Sequence, residues 1–193
     1  MKLVIIDYGA GNIKSIQFAF NRLGINAVLS NNAEDIISAD KVIFPGVGEA
    51  SSAMTMLKQS KLDLVIPKLK QPLLGICLGM QLLCKSTEEG NTEGLGIFNA
   101  HVKRFPDDVK VPQMGWNTIS NLKSDLFKGL NDNAFMYLVH SYYAEFSNQA
   151  TATTNYGLEY ASALENDNFY GVQFHPEKSS LDGEKILKNF IEL

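Results

Sequence analysis

The sequence predicts an α/β fold: an open, mostly parallel central sheet with helices on both faces and an antiparallel extension at its edge. Three observations lead to this prediction. Strand-like and helix-like segments alternate four times within about the first 90 residues. The strand-like segments there are short apolar runs, as expected for parallel strands buried on both faces. Later segments are rich in β-branched and aromatic residues, which favours antiparallel strands.

The first strand and helix have clear boundaries. The strand is the continuous apolar run KLVIID, and the tight loop YGAG follows it. In the helix, apolar side chains recur at a period near 3.6, at Ile13, Ile16, Phe20 and Leu23. Asn12 is a favourable N-cap and Gly24 a favourable stop signal, so a helix is predicted between them.

The next elements repeat this alternation. INAVLS reads as the second strand, KVIF as the third, and the loop PGVG separates KVIF from a helix predicted over residues 50–57. PLLGI is the fourth strand, and it runs directly into a helix predicted from about residue 78 to 85. Short strands joined by helices in this way predict parallel pairing.

The second half of the sequence has a different composition and pattern. Antiparallel strands at the edge of the sheet are expected from HVKRF, YLVHSYYAEF, TATTNY and LEYASAL. The chain then gives a last apolar run, FYGVQF, followed by HPE and a closing amphipathic helix on Ile186, Leu187, Phe190 and Ile191. Because the sequence has no repeat, low-complexity tract or linker, we expect residues 1–193 to form a single domain.

Composition excludes several classes of function. Of the 193 residues 45% are hydrophobic and 20% charged, which is typical of globular proteins. The net charge of −4 gives no reason to expect binding to nucleic acid or to an anionic membrane. Asp7 interrupts the apolar N-terminal run, which favours a strand over a signal peptide. The two cysteines, Cys77 and Cys84, are too few for a disulfide framework, so a cytoplasmic setting is expected.

The most informative motif surrounds Cys77. The segment LLGICLGMQLL places it in a Gly-x-Cys-x-Gly turn between a buried strand and a helix, the cysteine form of a nucleophile elbow. The helix dipole would favour a thiolate there, and the N–H of Leu78 would be free to donate to an oxyanion. The alternative is a buried core cysteine, which is the better interpretation of Cys84 on an apolar helix face.

A cysteine nucleophile needs a base, and three histidines are available. His101 precedes a strand and is expected at the surface, while His140 within YLVHSYY is expected to position backbone. His175 ends an apolar strand that Pro176 stops, and strand ends are where open α/β folds place active sites. Glu177 follows closely enough to orient the imidazole.

Several segments together resemble one known family. GICLGMQLL, GVQFHPEKS and PGVG are similar to the class I (triad) glutamine amidotransferases, and the similarity extends from residue 5 to the closing helix. Within that group, IDYGAGN, PGVGEA, VPQMGWN and LVHSYY resemble the glutaminase subunits of imidazole glycerol phosphate synthases. Ala10 departs from this pattern, which often has a bulkier residue at that position.

The resemblance implies a set of roles. Cys77 would attack the side-chain amide of glutamine, with His175 as acid and base, Glu177 as its orienting partner, and the N–H groups of Val47 and Leu78 as the oxyanion hole. Glutamine would be contacted by Gly46, Gly48, Gln81, Glu89, Ser141 and Tyr142, with Glu89 holding the α-ammonium. A face that docks on a synthase partner would include Asn12, Trp116, Tyr137 and Lys178. No cofactor or metal is expected.

These residues leave four candidate functions. The favoured one is a glutaminase that supplies ammonia to a (β/α)8 cyclase in histidine biosynthesis, forming a heterodimer with it. A paralogue supplying ammonia to a sugar-modifying synthase would have the same residues, because acceptor choice belongs to the partner. A non-catalytic binding domain would not need Cys77, His175 and Glu177 together. A free-standing cysteine hydrolase would explain those three residues but neither the Val47 loop nor Glu89.

Overall fold

The computed structural model describes residues 1–9 and 11–193, so Ala10, singled out above, lies outside the described residues. The helices are α1 (Ile13–Arg22), α2 (Ala33–Ile37), α3 (Ala50–Gln59), α4 (Leu62–Val65), α5 (Leu78–Leu83) and α6 (Ser180–Glu192). The strands are β1 (Leu3–Ile6), β2 (Val28–Ser30), β3 (Lys41–Phe44), β4 (Leu73–Ile76), β5 (Cys84–Thr87), β6 (Thr92–Glu93), β7 (Phe98–Arg104), β8 (Gln113–Ile119), β9 (Ala134–His140), β10 (Tyr142–Ala144), β11 (Ala150–Asn155), β12 (Glu159–Asn166) and β13 (Phe169–Val172).

The main sheet has a parallel half and a mixed half. Its strands follow the order β2-β1-β3-β4-β13-β12-β10-β7-β5-β6, and β11 pairs with β12. The first five strands in this order are parallel to one another. Strands β12, β10 and β7 pair antiparallel in turn, whereas β5 is parallel to β7. This arrangement confirms the predicted fold class.

Strands β8 and β9 lie outside the main sheet and form a separate two-stranded antiparallel sheet. The sequence led us to expect the segment that becomes β9 at the edge of the main sheet. A single bridge between Ser120 and Thr153 connects the end of β8 to the main sheet. The small sheet therefore projects a separate surface beside the main one.

Helices cover both faces of the parallel strands, because alternate side chains of each strand point to opposite sides. On β1, Val4 and Ile6 join a core that includes residues of α3 and α4. Leu3 and Ile5 join a second core, which includes residues of α1 and α6. Continuous apolar runs in the sequence thus correspond to strands buried on both faces.

Three predicted boundaries differ from the structure. The helix expected to reach residue 85 ends at Leu83, and Cys84 begins β5 with an extended backbone. The reason is pairing with a later segment, since Gly96 N–H donates to Cys84 O at 3.0 Å. Strand β2 is shorter than INAVLS, and α3 extends two residues beyond the predicted end. Asn12 is the N-cap of α1, but its side chain makes no capping hydrogen bond.

Among the described residues, no helix has the length and apolar character needed to cross a membrane.

Candidate active site

Cys77 lies at the turn between β4 and α5, where its backbone adopts φ 54° and ψ −113°. A positive φ is uncommon for a residue other than glycine, and such strain tends to occur at functional sites. The N–H of Cys77 donates to Val172 O at 2.8 Å, which ties the turn to β13. The backbone therefore has the sharp strand-to-helix turn that the motif predicts.

The two glycines around Cys77 are required by close packing. A Cβ at Gly79 would collide with Phe44 O, the last carbonyl of β3. A Cβ at Gly75 would lie 2.9 Å from the backbone nitrogen of Met80. Any side chain at either position would push α5 away from the sheet, so the glycines allow the tight turn at Cys77.

Sheet register brings Cys77 and His175 together, although they are distant in sequence. Strands β4 and β13 are parallel neighbours with Ile76 opposite Val172. Cys77 follows the first strand directly, and His175 follows the second by three residues. Both side chains thus lie at the carboxyl edge of the sheet, where open α/β folds bind their ligands.

His175 and Glu177 form a buried pair. Nδ1 of His175 lies 2.8 Å from Oε1 of Glu177, and both side chains are almost completely buried. Burial alone would lower the pKa of His175, but interactions with Cys77 and Glu177 outweigh it and raise the pKa to about 10. Nε2 of His175 has no hydrogen-bond partner among the described residues, so it is the ring nitrogen left for chemistry.

A cavity of about 320 Å³ opens beside the cysteine. Its walls are formed by Val47, Gly48, Cys77, Leu78, Gln81, Glu89, Pro112, Val139, His140, Ser141, Tyr142 and His175. This volume lies within the range of small-molecule sites. Most of the side chains predicted to contact glutamine therefore share one cavity with Cys77 and His175.

Gly46, in the loop that carries Val47, was predicted to contact glutamine but is not among the residues that line the cavity. A Cβ at Gly46 would lie 2.6 Å from the backbone nitrogen of Gly79, so the loop packs directly on the first turn of α5. The hydroxyl of Tyr8 donates to Pro45 O at 3.0 Å and anchors the start of the loop. Gly48 has φ +99° with open space around it, and Val47 is 40% exposed. The loop is held at its base and open at its tip.

Glu89 also lines the cavity. Its Oε2 accepts a hydrogen bond from Ala50 N–H at 3.0 Å. Partial burial raises the pKa of Glu89, and the nearby Glu49 adds to this effect, while the bond from Ala50 opposes it. A cationic ligand group would relieve this unfavourable placement of a carboxylate.

Two side chains that line the cavity, Gln81 and His140, both approach the backbone oxygen of Tyr142. Gln81 Nε2 donates to this oxygen at 2.9 Å, and His140 Nδ1 lies 2.7 Å from it. Burial lowers the pKa of His140 to about 4, so the ring is neutral at pH 7 and donates from Nδ1. His140 thus positions backbone, as its sequence context suggested, and it also lines the cavity.

The remaining histidine and cysteine lie away from the cavity. His101 is exposed within β7, rather than before it, and its Nδ1 lies 2.8 Å from Ser86 Oγ. Cys84 is fully buried, its Sγ donates to Met80 O at 3.5 Å, and burial raises the pKa of its thiol. No group of three or more potential metal ligands occurs in the described part of the chain.

Three of the four residues predicted to face a partner lie together. Trp116 on β8 is opposite Tyr137 on β9, with ring centroids 6.2 Å apart. The ammonium of Lys178 lies 5.8 Å from the centroid of the Tyr137 ring. Trp116 is 52% exposed, although a single tryptophan is more often found in a core. Asn12 precedes α1, which contacts the turn that carries Lys178.

Two residues of the site were missed at the sequence level. Gln173 is fully buried and its Nε2 lies 3.7 Å from Cys77 Sγ. Its position two residues before His175, at the end of the predicted strand FYGVQF, was an available signal, because alternate residues of a strand share one face. Tyr8 gave no signal, since its contact with Pro45 depends on packing between distant segments.

Comparison with known proteins agrees with this geometry. The glutamine amidotransferase class-I family profile matches residues 4–193. The imidazole glycerol phosphate synthase subunit HisH of Bacteroides fragilis is 56% identical, with all of both chains covered. That of Haemophilus influenzae (strain KW20) is 45% identical, covering 100% of this chain and 98% of its own.

Solved structures share the fold at much lower identity. A crystal structure of a putative GMP synthase component from Thermoplasma acidophilum gives a TM-score of 0.77 at 20% identity, covering 100% of this chain and 92% of that one. Another, described as a glutamine amidotransferase, gives 0.75 at 18% identity, covering 98% and 97%. The match along nearly the whole chain shows that this protein belongs to the class-I glutamine amidotransferase family.

Proposed function

We propose that this chain is the glutaminase subunit of an imidazole glycerol phosphate synthase, acting in histidine biosynthesis. It would hydrolyse L-glutamine and pass the ammonia to a (β/α)8 cyclase subunit in the cytoplasm, with residues 1–193 forming a single domain. The observation that carries the proposal is the cavity lined by the strained Cys77, by Glu89 and by His175, which is paired with the buried Glu177. Identity of 56% to a subunit of that synthase supports the choice of partner.

The first half of the reaction forms a thioester. The raised pKa of His175 places the proton of Cys77 on His175 Nε2, and the resulting thiolate attacks the side-chain carbonyl carbon of glutamine. The N–H groups of Leu78 and Val47 stabilise the oxyanion that develops. The imidazolium then protonates the leaving nitrogen, the C–N bond breaks, and ammonia departs.

The second half hydrolyses the thioester. His175 is neutral again after giving up its proton, so Nε2 accepts a proton from water as the water attacks the thioester carbon. The tetrahedral intermediate collapses and the C–S bond breaks, which restores the Cys77 thiolate beside the protonated His175. Glutamate leaves after its new carboxyl group releases the second proton of the water to solvent. Glu177 holds the imidazole through Nδ1 at 2.8 Å and stabilises its charged form in both halves.

Replacing Glu89 with glutamine should weaken glutamine binding selectively. The proposed role of Glu89 is to pair with the α-ammonium, and a charge-assisted hydrogen bond of this type contributes about 1.5–3 kcal/mol. We expect KM for glutamine to rise roughly 10- to 100-fold with a smaller change in kcat, measured by glutamate release. Glu93→Gln, an exposed change on β6, is the matched control. An unchanged KM in Glu89→Gln would remove Glu89 from the binding site.

Replacing Glu177 with glutamine should alter the pH profile. Glu177 helps raise the pKa of His175 to about 10, so its loss lowers that pKa and the imidazolium disappears at a lower pH. The basic limb of kcat/KM should therefore move to lower pH. Activity should fall by roughly one to three orders of magnitude, less than on loss of the nucleophile. Complete loss in a folded variant would instead indicate direct proton transfer by Glu177.

The partner assignment is tested by reconstitution. The patch formed by Trp116, Tyr137 and Lys178 combines exposed aromatic area with a cation, a composition enriched in protein interfaces. Mixing the chain with the cyclase of the histidine pathway should produce a heterodimer that converts glutamine nitrogen into the cyclase product. Activity with a sugar-modifying synthase, and none with the cyclase, would favour the paralogous function.

A further inference from the structure

We propose that Gln173 is a positioning residue for the nucleophile: its amide nitrogen donates to Cys77 Sγ and stabilises the thiolate. The inference deepens the proposed glutaminase function and rests on Cys77 being its nucleophile. Gln173 is fully buried, and Nε2 lies 3.7 Å from the sulfur. A hydrogen bond to a thiolate is stronger than one to a thiol, so the contact favours the charged form.

The hydrogen-bond pattern determines which end of the Gln173 amide faces the sulfur. Gln81 Nε2 lies 2.9 Å from Tyr142 O, and a backbone carbonyl oxygen only accepts. The same nitrogen lies 2.8 Å from Gln173 Oε1, so its second N–H is directed there. Gln173 must accept with its oxygen at that end. Its nitrogen is consequently the atom that faces Cys77.

Hydrogen bonds to backbone carbonyl groups hold both ends of the Gln81–Gln173 pair in place. Tyr142 O is also held by His140 Nδ1 at 2.7 Å, and Gln173 N–H donates to Ser162 O at 2.9 Å on β12. Turning over either amide would set two donors or two acceptors against each other, which is unfavourable in a buried site. The donor is thus directed at the sulfur before any ligand binds.

The sulfur has a different partner in each protonation state. In the thiol, S–H is directed to Val139 O at 3.9 Å. Once the proton has moved to His175 Nε2, Val139 O faces a negative sulfur, and Gln173 supplies the compensating donor. Gln173 therefore lowers the free energy of the attacking state without contacting glutamine.

The test is the pH dependence of Cys77 alkylation by iodoacetamide, followed by mass spectrometry of the Cys77 peptide in the full chain. Only the thiolate reacts, so the midpoint pH measures its stability. In Gln173→Leu the midpoint pH should rise by about one unit. At a fixed pH below the midpoint, this corresponds to roughly tenfold less Cys77 thiolate. Ser162→Ala is the matched control, because it removes from the adjacent strand a buried hydroxyl that has no hydrogen-bond partner among the described residues, and it should leave the midpoint unchanged.

A second variant separates electrostatics from packing. Gln173→Glu keeps the shape of the side chain and still accepts from Gln81, but it places a carboxylate oxygen against the sulfur. If Gln173 acts as a donor, the midpoint in Gln173→Glu should rise more than in Gln173→Leu. If Gln173 only fills space, the isosteric glutamate should be the milder change. A smaller rise of the midpoint in Gln173→Glu than in Gln173→Leu, or no rise in either folded variant, would overturn the inference.

The measurement also stays informative if those variants fail to fold. Gln81→Met releases the Gln173 amide so that it can turn over, and the midpoint should then rise by a smaller amount; no rise there would count against the inference. Alkylation needs neither glutamine nor a partner protein. The alkylation result can therefore be interpreted even if the chain proves not to be a glutaminase. Failure of the proposed function and failure of the inference about Gln173 remain distinguishable.

Discussion

Cys77→Ala is expected to abolish glutamine hydrolysis, by roughly 10⁴-fold or more, the scale typical of losing a nucleophile. The structure gives the reason, because the elbow at Cys77 directs its side chain into a cavity shared with His175. Synthesis from added ammonia should continue in the complex with the partner, since that route needs no thioester. Glutamate release and product formation, each with glutamine or ammonia as nitrogen source, provide the measurement.

Cys84→Ala is the control for this experiment. Its thiol is fully buried and faces Met80 O, so activity should remain close to that of the unchanged chain. A diazo-ketone analogue of glutamine should label Cys77 and leave Cys84 unmodified in mass spectra. Glutaminase turnover in Cys77→Ala, or label on Cys84, would contradict the assignment of the nucleophile.

The second large effect is expected from the partner. Alone, the chain should hydrolyse glutamine very slowly, and the partner with its ligand bound should raise kcat roughly 100- to 1,000-fold. We expect the peptide before Val47 to present its carbonyl to the oxyanion position at rest. One donor is then missing, and each such donor contributes about 2.7–4 kcal/mol. Docking that favours the flipped peptide would supply it.

Gly48→Ala tests whether activation uses this loop. Gly48 has φ +99° and open space where a Cβ would lie, so alanine would strain the backbone without a clash. Activation should weaken while KM for glutamine changes little. Gly96→Ala is a close match, since Gly96 also has a positive φ, +68°, and open surroundings but lies outside the cavity.

The relevant measurement is kcat of the chain alone, with the partner, and with the partner plus an acceptor analogue. Full activity in the isolated chain would refute the role assigned to the partner. Equal loss of activation in Gly48→Ala and Gly96→Ala would show that general destabilisation, and not the loop, explains the effect.

Local patterns allowed much of this site to be predicted. The Gly-x-Cys-x-Gly spacing predicted the sharp turn at Cys77, because flanking glycines let the backbone turn tightly. In the structure, Gly79 is required by its close packing against the end of β3. His175 and Glu177 are close in sequence, so their pairing needed no knowledge of the fold. The helix–strand alternation was sufficient to predict the parallel sheet.

Contacts between distant segments could not be predicted in the same way. The Gln81–Gln173 bond joins residues 92 positions apart, and neither side chain carries a charge that would suggest their pairing. The end of α5 at Leu83 was missed because pairing with residues 95–97 overrides an apolar pattern that fits a helix. The same limit applies to the small sheet of β8 and β9.

The position of β13 has a consequence for how the enzyme is made. It is the last strand in the sequence, yet it lies in the middle of the sheet between β4 and β12. A nascent chain on the ribosome contains Cys77 well before it contains His175, since the cysteine precedes the histidine in the sequence. Incomplete or prematurely terminated chains would carry a cysteine with no proton acceptor and could not consume glutamine. Long-range insertion of this kind also slows folding, so activity should appear only after the final strand has docked.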